Sequence, residues 1–480
     1  MLNSFFYKIY IRILIWVIKM SFFDKKEVYK DGAYYIGKFA DGLRHGQGTY
    51  YYANGARYEG DWWYGKKHGF GKYYYPNGDI YEGSWENGIR SGYGEIFFIN
   101  GNIYKGDFKN NVAQGQGFKY YQDGSRYEGS FINFKRSGKG NMFYANGNVY
   151  SGTWFNDNCD GYGEVKYTNG NYYKGYWNEG KKEGFGSLKF SNGTVKESVW
   201  VDGEEYCITF RYPNGDIYTG SVVNNIRNGY GTYNYSSGNS YKGMWKNGNR
   251  EGYGIYETQN STLIGFFASN QLNGLGIYFG DDEVYFGEFQ EGKRSGLGVC
   301  RYKDIDPVLV FWNQDKIIDP NGAGSSLYEQ LQEIEHENGD KFIGLYKNDQ
   351  GNGFGVYYSS KGAIVFGKWV NDSPNGPAII IENDNIYVGE FIDGVQCNLG
   401  IHKDSKNNIY VGEFKNDTHF GQGILYFSDG CYFKGHFTEN GDIERGEFLE
   451  KNGALTVGDF TDEENIDLDF IIDEEGKIIR

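Results

Sequence analysis

Eight basic side chains fall at one fixed position of a recurring sequence: Arg44, Lys67, Arg90, Arg136, Lys182, Arg227, Arg250 and Arg294. Lys66, Lys135, Lys181 and Lys293 stand directly before four of them. The chemistry open to such a series is electrostatic. Cations on equivalent turns of stacked hairpins would line one edge, about 9–10 Å apart per unit. That edge would suit anionic phospholipids or an acidic protein surface, each charge contributing about 1 kcal/mol near an anionic leaflet. The same residues also read as solvated turn charges, or as stems lying over neighbouring rings.

Catalytic chemistry has no comparable support. The sequence contains no Gly-x-x-x-x-Gly-Lys-Ser/Thr, no Gly-x-Ser-x-Gly and no His-Glu-x-x-His. Its Gly-x-Gly pairs run on into strand and open no helix, so they are not dinucleotide loops. Asp281/Asp282 and Glu204/Glu205 are adjacent, so in a strand they face opposite sides and read as surface charge. Cys159, Cys207, Cys300, Cys397 and Cys431 are odd in number and scattered, which points to a reducing compartment without disulfides or zinc. His45 and His68 occupy the same repeat position and form no metal pair. The expectation is no enzyme, no cofactor and no metal.

The elements that carry the cations follow from a 23-residue period. Units begin at Tyr35, Tyr58, Tyr81, Tyr104, Tyr127, Tyr150 and Tyr173. A degraded unit follows at Lys196, and the pattern resumes at Tyr218, Tyr241, Leu263 and Tyr285. Counting from the first Tyr, glycines fall at positions 3, 8, 12, 14 and 21, as at Gly60, Gly65, Gly69, Gly71 and Gly78. Side chains alternate along a strand. Tyr81, Gly83 and Trp85 therefore share a face, as do Gly92, Gly94, Ile96 and Phe98. Asn87-Gly88 between them is a hairpin turn signal. Each unit reads as a β-hairpin whose rings lie over the next strand's glycines. Tyr58, Gly60, Trp62, Tyr81, Gly83, Trp85, Gly92, Gly94, Trp154, Trp177 and Trp245 are the expected structural core. A tryptophan row of this kind would also stack a ligand, but packing explains it.

The predicted fold is all-β: an elongated single-layer antiparallel sheet of tandem hairpins with an aromatic and glycine spine. Composition agrees, with 74 glycines, 6 prolines and 19% aromatics in 480 residues. Five segments are expected. Residues 1–34 form an apolar, basic lead-in, read as a mis-assigned start with Met20 the true one, an interfacial anchor or a signal anchor. Residues 35–304 form a first array. Residues 305–340 form an irregular joint with a short helix, since Leu327, Leu331 and Ile334 share a helical face after Ser325. Residues 341–460 form a second, degenerate array, and 461–480 an acidic tail. Net charge is −15, distributed unevenly. Residues 21–200 carry 23 basic and 19 acidic groups, and 201–480 carry 22 and 44. The halves are therefore expected to meet different partners, and nucleic acid is not among them.

The run from Tyr58 to Gly71 resembles the MORN (membrane occupation and recognition nexus) repeat nearly position for position. The resemblance covers residues 35–304 strongly and 341–460 weakly. It implies an array like those of junctional membrane proteins, flagellar radial-spoke heads and protist cytoskeletal scaffolds. It also implies association with anionic phospholipids and with dimerisation or end-to-end assembly. In plant phosphatidylinositol phosphate kinases such arrays precede a separate catalytic domain, which no segment here resembles. The expected function is a non-enzymatic scaffold linking cytoskeletal or axonemal proteins, or membrane and cytoskeleton, in the cytoplasm or cilium. The alternative is a peripheral module binding phosphoinositides through the basic edge.

Overall fold

A computed structural model describes residues 25–303, 307–318, 330–461, 467–473 and 478–479. Forty-one strands and no helix occur among them. The chain divides into two compact units, residues 1–183 and 184–480.

One repeat shows how the sequence makes the strand pairs. Strands Arg57–Trp63 and Lys66–Tyr74 pair antiparallel, Tyr58 opposite Tyr73 and Gly60 opposite Gly71. Tyr64 and Gly65 turn the chain at φ 42° and 83°, the left-handed pair that a two-residue hairpin requires. A bulge then sets His68, Gly69 and Phe70 opposite Asp61 alone. The Asp61 carboxylate accepts the Phe70 N–H at 2.9 Å, and Gly69 adopts φ 61° to permit it.

An aromatic and glycine spine runs along one face of the hairpins. Tyr58 lies against the two central glycines, so close that a Cβ on Gly71 would stand 2.3 Å from its Oη. That hydroxyl donates to the Asp61 carbonyl at 2.9 Å. Trp62 and Trp85 meet the Tyr58 ring edge-on at 5.1 and 5.2 Å, one from its own repeat and one from the next. Trp85 Nε1 donates to the Gly71 carbonyl of the preceding repeat at 3.1 Å. Each tyrosine is thus wedged between consecutive repeats, and Tyr58, Tyr81, Tyr104, Tyr127, Tyr150 and Tyr173 are fully buried. Trp154 and Trp245 repeat the bond to the Gly140 and Gly231 carbonyls, and Trp177 packs edge-on against Tyr173.

The first unit is one layer of such hairpins. The second departs from the single-layer expectation, because its later strands return to cover the earlier ones. Strands Asn249–Glu257, Thr262–Ala268, Gln271–Phe279 and Glu283–Gln290 face strands Ile364–Val370, Ser373–Glu382, Asn385–Ile392 and Val395–Lys403. Between them lies an aliphatic core: Ile255, Ile264 and Val299 on one side, Val356, Val388 and Ile401 on the other. The Tyr230 hydroxyl crosses to the Gln422 carbonyl at 3.1 Å. A second core joins Val199 and Val201 to Leu455, Val457, Phe470 and Ile472. The cause is compositional. Repeat positions 2 and 15 point away from the spine, and from Leu263 onward they hold Ile264/Ile277, Phe286/Val299, Ile343/Val356 and Val388/Ile401. A sheet face that apolar must be covered.

The helix expected in 305–340 is corrected where the structure describes it. Leu331–Glu335 is a strand, with Leu331 opposite Leu345 and Ile334 opposite Phe342. A turn at Gly339 (φ 82°) folds it onto Lys341–Lys347, and ladder pairing outweighs the helical spacing of the apolar residues. Ser325 and Leu327 lie outside the described residues, as does the apolar segment 1–24.

Candidate functional site

The basic series separates into two groups. Lys66, Lys135, Lys181 and Lys293, which open the second strand of their hairpins, are exposed. The eight residues that follow the turn by two are half-buried and folded over the spine. Arg44 stacks 4.4 Å from the Trp62 ring, Arg136 4.2 Å from Trp154, Arg227 4.5 Å from Trp245 and Arg294 4.3 Å from Trp312. Arg90 lies 5.4 Å from Phe108, and Arg250 5.5 Å from Phe267. Lys67 stands 3.9 Å from Trp85, and Lys182 4.1 Å from Tyr173. Burial, reinforced by the Arg90 charge, pulls the Lys67 ammonium down to about 8.

These cations also hold the next hairpin's turn. Arg44 Nη2 donates to the Gly65 carbonyl at 2.9 Å, while the Gly65 N–H donates to the Arg44 carbonyl at 2.8 Å. Arg227 and Gly248 make the same pair at 2.7 and 2.9 Å. Arg136 Nε adds an ion pair with Asp157 at 3.1 Å. A guanidinium stacked on a ring and bonded to a turn carbonyl is engaged within the fold.

The more informative surface is the face opposite the spine, which the sequence reading did not single out. At position 13 the first unit exposes Phe70 (57%), Tyr93 (55%) and Tyr162 (45%), whereas the second unit buries Tyr253 (4%), Leu275 (5%) and Leu297 (3%) under its second layer. Around the exposed rings run charges paired within the sheet, Lys72 with Glu82 at 3.2 Å and Lys105 with Glu95 at 3.0 Å. A trough of about 670 Å³ lies between Phe118 and Tyr162, floored by Asn141, Ser151, Thr153 and glycine backbone. Tyr176 braces Tyr162 edge-on at 5.5 Å. The signal that would have found this face was in the sequence: positions 2 and 15 are mostly charged or polar in the first repeats (Glu59/Lys72, Glu82/Glu95; Ile36 and Phe118 are exceptions) and apolar later.

Most strongly shifted groups elsewhere follow from burial; Asp340 differs, its carboxyl held well below the usual range by the hydrogen bond from the Tyr357 hydroxyl. Spine hydroxyls such as Tyr58 and Tyr104 are pushed well up, and neither touches a nucleophile or a second acid. Among the described residues no group of three His, Cys, Asp or Glu is placed to hold a metal ion. No helix among them is long and apolar enough to cross a membrane.

Fold and surface define a class: a tandem-hairpin β array built to display area. The MORN repeat pattern matches twelve segments, contiguous from 35 to 195, then 218–240, 241–262, 285–304, 342–364 and 410–432. These cover more than half of the chain, and the protein belongs to the MORN-repeat family. No curated protein matches it. Among solved structures, the TCP10 domain of Danio rerio CPAP is 16% identical, with TM-score 0.27, covering 41% of this chain and 94% of its own. The SAS-4 TCP domain of Drosophila melanogaster, solved with a proline-rich motif of Ana2, is 16% identical with TM-score 0.23, covering 32% and 85%. A streptogramin B lyase reaches 11% identity and TM-score 0.10, covering 72% and 89%. Likenesses this slight carry no functional reading.

Proposed function

We propose that this protein is a non-enzymatic scaffold that holds partner proteins on the uncovered face of its first unit. One observation supports the reading. The same repeat positions are buried beneath a second layer in residues 184–480 and left open, with large rings, in residues 1–183. Exposed aromatics set among charges suit a wet, exchangeable protein interface. A cytoskeletal or ciliary setting rests on the family alone. Photo-crosslinking tests the docking face: a photoreactive phenylalanine at Tyr93 or Tyr162 should capture a discrete polypeptide in cells. The same probe at Tyr144, an exposed ring on the spine side of the sheet, should not. Equal capture at all three sites would remove the reading.

The anionic-lipid alternative retains four exposed lysines, Lys66, Lys135, Lys181 and Lys293. Co-sedimentation with anionic vesicles at low and physiological salt decides it. A protein that stays in the supernatant at both salts is not a lipid module.

A further inference from the structure

A cavity of about 580 Å³ opens on the spine face of the second unit, among Glu382, Tyr387, Gln396, His402, Phe414 and Asp417. Its place in the repeat explains it. Gln396 stands at position 10, where Arg136 and Arg294 stand in their own repeats. Counted the same way, Phe414 takes the place of Trp154 and Trp312, and Asp417 that of Asp157 and Asp315. The backbone geometry is retained. The Gln396 N–H donates to the Asp417 carboxylate at 2.7 Å, as the Arg136 and Arg294 N–H groups donate to Asp157 and Asp315 at 2.9 Å. In those two repeats a guanidinium lies 4.2 and 4.3 Å from its tryptophan, and its Nε pairs with the aspartate at 3.1 and 3.7 Å. Gln396 is shorter and uncharged, and no lysine or arginine lines the cavity.

The lining suits a cation. Tyr387 and Phe414 are buried and form only the floor, while Asp417 and Glu382 are exposed and make no ion pair among the described residues. His419 also borders the cavity, but burial and the His402 charge pull it down to about 4, so it brings no competing charge at neutral pH. Burial lowers His402 as well. Residues 201–480 carry 22 basic groups against 44 acidic ones, a field that draws cations in. We propose that this cavity is a guanidinium site, taking the side chain of an arginine or another alkylguanidine from outside the chain, with Asp417 and Glu382 as its acceptors. Arg136 and Arg294 show the same recognition made from within. A planar fork of donors matches a carboxylate better than a compact ammonium does. The site is independent of the docking face of the first unit.

The test is calorimetric titration of the full-length protein with an acetyl-Gly-Arg-Gly-amide peptide, its citrulline counterpart and agmatine. Citrulline keeps the shape and loses the charge, so it should bind at least about tenfold more weakly than arginine. Tighter binding of the peptide assigns a partner protein's arginine, and tighter binding of agmatine a free base. Either supports the site; binding of neither overturns it. Asp417→Asn removes the charge but keeps an acceptor for the Gln396 N–H, as Asn111 accepts the Arg90 N–H at 2.9 Å. It should weaken binding at least about tenfold. Gln396→Arg should fill the cavity from within, raising the melting temperature and abolishing binding. Should that variant fail to fold, the citrulline comparison on the unaltered protein still decides. Equal affinity for arginine and citrulline, or undiminished binding in a folded Gln396→Arg, refutes the assignment.

Discussion

Gly71→Ala probes the spine with one methyl group. Gly71 is not in the left-handed region, so the backbone accepts alanine. Space does not. The new Cβ would meet Tyr58 Oη, Cζ and Cε2 at 2.3, 2.5 and 2.6 Å. Relief requires the ring to move roughly 1 Å. Tyr58 is fully buried, and the Trp62 and Trp85 edges at 5.1 and 5.2 Å hold it in place. Overpacking of this kind costs about 1–3 kcal/mol. Losing the Tyr58 hydroxyl bond to Asp61 adds about 1 kcal/mol. The chain already contains the compensated version. Where the ring is replaced by Val365, the position facing Gly367 is Ala378, fully buried. Urea denaturation followed by tryptophan fluorescence should show Gly71→Ala losing about 2–4 kcal/mol. In a cycle with Tyr58→Val the two changes should couple by at least about 2 kcal/mol, since the smaller side chain makes room for the methyl. Gly88→Ala, at φ 92° with nothing within 4 Å of its Cβ, should cost only the backbone term, about 1–2 kcal/mol. Additive costs in the cycle, or a loss under about 0.5 kcal/mol for Gly71→Ala, would refute the wedge.

Three further outcomes are expected. Arg136→Glu should lower stability by about 2 kcal/mol or more, since it ends the Trp154 stacking and replaces the ion pair with Asp157 by a like-charge contact. Its neighbour Lys135→Glu should stay within about 0.5 kcal/mol, and paired thermal melts compare them. Leu297→Ala, under the second layer, should cost about 2–5 kcal/mol, whereas Tyr93→Ser, on the open face, should be near neutral by the same melts. The His402–His419 pair, ring nitrogens 3.2 Å apart, should make the protein acid-sensitive. Burial, and then the His402 charge, pulls His419 from 6.5 down to about 4, and burial lowers His402 as well. Between those values the unfolded chain binds more protons than the folded one, so stability falls as pH drops from about 6.5 to about 4. His419→Phe, which keeps the ring stacked on Tyr410, should flatten melting temperature across that window.

The period made the hairpins legible. Tyr58, Gly60 and Trp62 recur at fixed offsets because the spine makes the same contacts within each repeat and to the next, and a packing rule repeated along a chain leaves a written record. The doubling of the second unit left an equally plain record at positions 2 and 15, on the face that the spine does not mark. The spacing of Arg44, Lys67 and Arg90 fixed their shared edge but not their direction. Whether a long stem folds inward depends on the ring that the following repeat supplies, as Trp62 does for Arg44. Leu331 and Ile334 misled for a different reason. Their spacing fits a helical face, and only the partner strand Lys341–Lys347 decides for a ladder.

The arginine clasps on turn carbonyls reach forward along the chain, from Arg44 to Gly65 and from Arg227 to Gly248. The array is therefore vectorial, and its two ends are not interchangeable. Trimming a repeat from the carboxyl side strands a guanidinium that was built to grip something ahead of it. Trimming one from the amino side merely leaves a turn unheld.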